Sequence, residues 1–439
     1  MEEEIMEEKE ISAMLGFIQR SPSEYHVIDN ISAALNGAGY VCLPASERWT
    51  IEPGGKYYTL RGGSSLIAFR IPAQGAAKGF RLTAAHSDSP SFRIKANAEL
   101  RDKAYLRVST EPYGGMIMSS WLDRPLSVAG RVLVRTPEGL KVRLVNINRD
   151  LLVIPSVAIH MDRSVNDGKK FNESTDMLPL FGTPEQAGAL AKEIAQAAGV
   201  EESDVVDGDL FVYCRTRGCR FGAQREFILS PKLDDLACVW SCLRGFLDAD
   251  DAESGCIPVC CTFHNEEVGS VTKQGAGSTF LCDTLRRISF ALGGGEERYQ
   301  TMLAGSFFVS ADNAHAIHPN HPEYADRENA PVLNGGVVIK YNAAQRYATD
   351  GVSAAVFREL CRAADVPVQV FANRSDLRGG STLGSIAGTH MPVPTVDVGM
   401  PQLAMHASVE TAGAADVGYF TRAMREYFSA AFTLPPEAF

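Results

Sequence analysis

The apolar run Cys256-Ile-Pro-Val-Cys-Cys-Thr-Phe263 leads into His264-Asn-Glu-Glu-Val-Gly-Ser270. A buried parallel strand reads this way, and open α/β sheets place their chemistry at the C-terminal ends of such strands. Two adjacent carboxylates there, Glu266 and Glu267, repel each other unless positive charge is held close or one carries a proton. A divalent metal pair supplies that charge. One glutamate can then ligate metal while its neighbour acts as general base on metal-bound water.

Further candidate ligands lie elsewhere in the chain. His86 and Asp88 close the apolar run Arg81-Leu-Thr-Ala-Ala, and Asp234 follows the turn signal Ser230-Pro-Lys-Leu. Asp312, with His315 three residues on, follows Ser306-Phe-Phe-Val, and His406 comes after Pro394-Thr-Val-Asp-Val-Gly. A lone histidine is more often a hydrogen-bonded structural residue, and a lone aspartate after a strand more often a helix cap. The weight lies in the shared context, since most of these sites stand just beyond a plausible strand. Two metals need about this many protein ligands if one carboxylate bridges and each ion keeps an open position. On a strand, residues i and i+2 share a face, so Asp88 can accept the second ring N–H of His86 and fix its tautomer. Imidazole and carboxylate donors suit Zn2+, with Co2+ or Mn2+ as alternatives.

These residues need a scaffold. Amphipathic helices are expected over about 5–19 and 24–36, separated by Ser21-Pro-Ser, with Gly37 and Gly39 ending the second. A hairpin around Gly62-Gly63 precedes the His86 strand. From about residue 93 the pattern changes: Arg131-Val-Leu-Val-Arg and Lys141-Val-Arg-Leu-Val alternate with period two about Thr136-Pro-Glu-Gly, a hairpin with one solvated face. A long polar loop over about 161–172 and one helix over about 185–198 complete this stretch. The reading is a discontinuous catalytic domain, 1–92 and 209–439, split by a mostly β insertion, 93–208. After residue 209, strand-like runs 258–263, 307–310, 337–340, 368–371 and 394–398 alternate with helical ones. A last helix covers about 415–430. The class is α/β, a mixed sheet with helices on both faces.

Composition fits an enzyme that works in solution. The 439 residues, 45% hydrophobic and 22% charged, can hold two domains and a large core. A net charge of −11 disfavours nucleic acid and anionic membrane as partners. No apolar stretch reaches transmembrane length, and the acidic start Met1-Glu-Glu-Glu is unlike a signal or transit peptide. Ten cysteines without a Cys-x-x-Cys pair read as reduced core residues of a cytoplasmic protein.

Over almost its whole length the chain resembles the aspartyl aminopeptidase family of zinc metallopeptidases. The resemblance rests on Ser21-Pro-Ser-Glu-Tyr-His26, Ala84-Ala-His-Ser-Asp-Ser-Pro90, Trp121-Leu-Asp-Arg-Pro-Leu126 and Ser230-Pro-Lys-Leu-Asp-Asp-Leu236. It continues through Asn265-Glu-Glu-Val-Gly-Ser270, Ala311-Asp-Asn-Ala-His-Ala-Ile-His-Pro-Asn320, Gln345-Arg-Tyr-Ala-Thr-Asp350 and Pro401-Gln-Leu-Ala-Met-His406. It implies a zinc-peptidase mixed-sheet sandwich whose insertion is a dimerisation domain, assembled as a homo-oligomer, a dodecamer built from dimers. It implies removal of N-terminal Asp or Glu from peptides by two divalent ions per chain. Asp234 would bridge the ions, His86 and Asp312 would complete one site, and Glu267 and His406 the other. The residues alone leave open which glutamate is the base; the resemblance favours Glu266. It further implies that Lys340, helped by His315, meets the substrate's acidic side chain, and that His160 reaches a neighbouring subunit's active site. His264 stands where the family usually has Asp, which changes the charge near the metals. A non-catalytic scaffold of the same fold and a metal-dependent N-deacylase or carboxypeptidase remain as alternatives.

Overall fold

Four runs of buried residues form the parallel centre of a nine-stranded sheet. They are Ile257–Phe263, Phe80–His86, Phe307–Ala311 and Thr395–Gly399, side by side in that order. Every residue in them is buried, which explains why the sequence shows near-continuous apolar runs rather than alternation. Successive side chains still divide between two faces. Phe80, Leu82, Ile257, Val259 and Phe263 pack under the helices Phe280–Ala291, Glu296–Ala304 and Leu383–Ala387. Ala85, Cys260, Phe307 and Val309 pack under the helices Glu2–Arg20, Glu24–Gly37, Leu233–Asp248, Gly351–Ala363 and Ala414–Ser429. Both faces are therefore covered, and truncating a ring such as Phe263 to Ala would cost about 3–5 kcal/mol. On one flank stand the antiparallel hairpin Lys56–Arg61/Ser65–Arg70 and the two-residue strand Val41–Cys42. On the other, Val337–Tyr341 runs antiparallel to Thr395–Gly399 and parallel to Val368–Ala372.

This computed structural model describes residues 2–74, 77–250, 254–377 and 379–435, with side chains from residue 7 onward. No helix in it is long and apolar enough to cross a membrane. All ten cysteines are free thiols; eight are buried as expected, whereas Cys42 and Cys219 are exposed.

A second, six-stranded sheet holds Gly139–Asn146, Leu126–Thr136, Val205–Cys214, Ser91–Arg101, Leu106–Tyr113 and Leu180–Gly182, with antiparallel neighbours. It has a core of its own around Phe92, Val108, Trp121, Val128 and Val212. Its first and last strands begin at Ser91 and end at Cys214, so the boundaries read from sequence, 93 and 208, fall inside strands. Composition changes there while the hydrogen-bonded ladder runs on. The edge strand Gly139–Asn146 is exposed on both faces over its first five residues, not on one, because only Val145 reaches the core. The expected helix at 185–198 is split: a 3-10 turn Pro184–Gln186, then Gly188 at φ 85, then the helix Ala189–Ala198.

A third sheet was not legible in the sequence. It joins Cys219–Phe221, Phe227–Ser230, Glu410–Gly413, Pro401–Leu403 and Ala314–His315. It anchors the approach to Asp234, both ends of the loop carrying His406, and His315 itself.

Candidate active site

The sheet brings its chemistry to one end. His86 is the last residue of its strand, and Asp312 comes one residue after Phe307–Ala311. Gly399 lies against Asp312 so closely that a Cβ there would collide with the Asp312 carbonyl. Glu266 and Glu267 form a 3-10 turn entered through Asn265, whose left-handed φ of 64 asparagine tolerates better than most residues. Asp234 sits in the first turn of the helix Leu233–Asp248, where the backbone is not helical (φ −82, ψ 108). His406 lies in the loop between Pro401–Leu403 and Glu410–Gly413, at φ 67.

Side-chain donor atoms converge in three overlapping groups: His86, Asp234, Asp235 and Asp312; Asp234, Glu267 and His406; and His86, Glu266 and Glu267. Within each, the atoms lie within 4.8 Å of one another. Asp234 turns one oxygen to each histidine: Oδ1 is 3.5 Å from His86 Nε2, and Oδ2 is 3.5 Å from His406 Nε2. His406 Nε2 is also 3.4 Å from Glu267 Oε2. These gaps are long for hydrogen bonds. Two donors bound at about 2.1 Å to one tetrahedral ion stand about 3.4 Å apart, so the spacing suits shared ligation. Asp234 Oδ1, Asp235 Oδ1 and Glu267 Oε1 are buried without a hydrogen-bond partner. A buried carboxylate oxygen left so is costly unless a cation meets it. The donor set therefore fits divalent metal.

Charge tells the same story. Burial lowers the His86 pKa, but Asp235, Asp234 and Asp88 outweigh it and hold the ring well above its usual value. Burial likewise opposes protonation of His406, yet Asp234 and Glu267 push it up to about 10. Glu266 is pushed up to about 8 by burial and by Asp312, Asp88 and Asp234, against the pull of His86. Glu267 is raised by burial and Asp234. Asp234, despite burial, is held low by the two histidines. The protein's own charges thus make a site that binds protons wherever it can, and a divalent ion replaces those protons.

Other sequence-derived residues are placed as follows. The nearest acceptor for His86 Nδ1 is the Asp88 backbone carbonyl at 3.0 Å; the Asp88 carboxylate, expected in that role, is 3.6 Å away. The turn after the strand brings the carbonyl round first. The carboxylate instead accepts from Tyr113 Oη and from the backbone N–H groups of Glu266 and Glu267. Burial raises its pKa, but His86, His264 and Tyr113 bring it down to about 2. Lys340 is 2% exposed; its Nζ donates to the Asn313 carbonyl at 3.1 Å and lies 3.4 Å from Asp312 Oδ1. Burial works against its charge, but Asp312, Tyr347 and Asp397 prevail and keep it protonated. His315 is open to solvent yet enclosed by protein on most sides, as a cleft wall is, and burial and Lys340 lower its pKa. His160 lies in an exposed turn of the second sheet's connections and is not brought to the cluster of its own chain by any described contact.

Sequence reading missed Asp235, Glu410 and Tyr113. Asp235 was signalled by its place beside Asp234. Glu410 accepts from the backbone N–H groups of Asp234 and His406, both at about 2.8–2.9 Å, and nothing local in the sequence marks it.

The chain is similar to known peptidases. Residues 17–428 match the family described as Aminopeptidase I zinc metalloprotease (M18). A probable M18 family aminopeptidase 2 from Clostridium acetobutylicum is 44% identical over 95% of this chain and 98% of its own. One from Pseudomonas paraeruginosa is 38% identical over 95% and 97%. Among solved structures, a chain of the Ape4 and Nbr1 complex is 34% identical, with a TM-score of 0.93, over 96% of this chain and 86% of that one. Yeast aminopeptidase 1 is 28% identical, with a TM-score of 0.84, over 96% and 97%. The chain belongs to the M18 family of zinc metallopeptidases, and it is a metal-dependent aminopeptidase.

Proposed function

We propose that the protein releases acidic residues from free peptide N-termini, using two divalent ions, in the first instance zinc, and Glu266 as general base. The observation that carries the two-ion reading is Asp234, with one carboxylate oxygen 3.5 Å from each histidine. His86 and Asp312 would complete one site, and Glu267 and His406 the other. When bound, the ions supply Lewis-acid activation of the attacking water and the scissile carbonyl. Glu266 takes the proton of that water and passes it to the leaving amine. Asp88 stays ionised and holds the backbone N–H groups of Glu266 and Glu267 at 3.3 and 3.2 Å, which orients both carboxylates. Lys340, charged and buried beside Asp312, would pair with the substrate's Asp or Glu side chain, and His315 would donate a further hydrogen bond from the cleft wall.

The six-stranded insertion would serve as a dimerisation unit, with His160 in its exposed turn reaching the neighbouring subunit's site. A dodecamer built from dimers is the assembly expected, since the mApe1 of S. cerevisiae, 28% identical with a TM-score of 0.83, is a dodecamer. Ten free thiols suit a reducing cytoplasm.

The test is a panel of peptides bearing Asp, Glu, Ala or Leu at free or N-acetylated ends. Asp and Glu ends should be released roughly tenfold to hundredfold faster than neutral ones, the discrimination a charge-assisted contact provides, and acetylated ends should be untouched. Faster release of Leu or Ala would remove the acidic preference. Cleavage of acetylated ends alone would point to a deacylase.

A further inference from the structure

Tyr113 ends the strand Leu106–Tyr113 of the inserted sheet, yet its hydroxyl lies among the carboxylates of the active site. It donates to Asp88 Oδ2 at 2.6 Å and accepts from Asn265 Nδ2 at 2.8 Å. Asp88 in turn accepts from the backbone N–H groups of Glu266 and Glu267. Asn265, left-handed at the entry to that turn, accepts with its side-chain carbonyl from Thr272 Oγ1 at 2.9 Å and Gln274 Nε2 at 3.0 Å. The turn carrying the base and its neighbour is therefore tied to one phenol twice, through Asp88 and through Asn265. The ring that presents this phenol is seated edge-on against Phe211 of the same sheet, with centroids 5.5 Å apart.

The residues after Tyr113 extend the hold. Gly114, at φ 75, passes so close to Glu267 that a Cβ there would stand 3.0 Å from the Glu267 Cβ. The Gly115 carbonyl is 2.6 Å from His406 Nδ1, and Ile117 N–H donates to the His406 carbonyl at 3.0 Å. Ser120 Oγ accepts from the backbone N–H of Ser408 at 2.8 Å. One continuous stretch, 113–120, which leaves the inserted sheet at Tyr113, thus backs the base turn and the His406 loop together.

We propose that Tyr113 is a positioning residue of the peptidase reaction, through which the inserted sheet fixes the Glu266–Glu267 turn against the metal-ligand cluster. This rests on the reading of Glu266 as base. A displaced base slows proton transfer and leaves substrate binding alone, so the effect should fall on kcat rather than KM.

The experiment compares Tyr113→Phe, Asn265→Ala, their double variant, Glu266→Gln and Phe211→Leu in the full, zinc-loaded protein. Tyr113→Phe should lower kcat roughly tenfold to hundredfold, the span of one lost charge-assisted hydrogen bond, with KM within about twofold and metal content unchanged. Asn265→Ala should act in the same direction, and the double variant should lose less than the product of the single losses, because both act on one turn. Phe211→Leu, which loosens the ring but keeps the hydroxyl, should lower kcat of the folded enzyme less than Tyr113→Phe does. An unchanged kcat in Tyr113→Phe, a loss that tracks metal content or folded fraction, or fully multiplicative losses in the double variant would each overturn the proposal. If Tyr113→Phe does not fold, an unchanged kcat in Asn265→Ala overturns it alone. If Glu266→Gln itself retains full turnover, the base assignment has failed rather than the role of Tyr113.

Discussion

The two histidines of the cluster are held by unlike means. His86 is the end of a wholly buried central strand; its side chain is 2% exposed, and its ring leans on a carbonyl two residues on. His406 stands in a left-handed loop position, its side chain is 32% exposed, and its ring is steadied by Gly115, two residues after the strand Leu106–Tyr113. One half of the site is built by the nine-stranded sheet, and the other is completed by chain that leaves the six-stranded sheet. Local opening is easiest where few buried contacts oppose it. The His406 half should therefore be the exchangeable one, and Asp234 is the residue on which both halves depend.

Asp234→Asn should have the largest effect, weakening both metal positions by at least about 100-fold and abolishing turnover; elemental analysis that finds both ions retained would break the shared-ligand picture. Glu266→Gln follows, with turnover lower by roughly 10²–10⁴-fold and both ions kept. Next comes the contrast between the halves. His406→Ala should release one ion readily and keep the other, while His86→Ala should also lower thermal stability because it disturbs the core. Equal metal loss and equal melting in the two variants would erase the asymmetry. Lys340→Met should cut the preference for Asp over Ala ends by roughly tenfold to hundredfold while neutral ends are still released; kinetics on both substrates decide it.

The smallest effect concerns pH. His406 is raised from 6.5 to about 10, and Glu266 and Glu410 from 4.5 to about 8. All three hold protons more tightly folded than unfolded. The stability His406 gives the metal-free protein is full below about 6.5 and lost as pH rises towards about 10. The two glutamates act in the same direction between about 4.5 and 8. Divalent metal takes the place of these protons. The rise in melting temperature on adding zinc should therefore be a few °C larger at about pH 8.5 than at about pH 6. An equal rise at both values would contradict this electrostatic reading.

Much of this was legible because a buried strand leaves a recognisable trace. Apolar runs ending in His86, in Glu266-Glu267 and just before Asp312 mark both the element and the edge where chemistry belongs. Apart from Asp235, what escaped depends on chain brought from afar. Glu410 reaches Asp234 across 176 positions, and Tyr113 reaches Asn265 across 152; no local pattern encodes either. The Asp88 carbonyl lies nearer the His86 ring than its carboxylate does, and side-chain alternation on a strand says nothing of the turn that follows it. The composition changes at 93 and 208 fall inside strands that run from Ser91 to Cys214, because a hydrogen-bonded ladder continues across a change in residue type.

The central claim, two unequal metal positions sharing Asp234, is tested most directly by metal content during chelator titration of the zinc-loaded protein. About two ions per chain should be present at the start, and one should leave at lower chelator concentration. In His406→Ala only the tightly held ion should remain. A single ion per chain in the parent, or two that leave together in both proteins, would contradict the account.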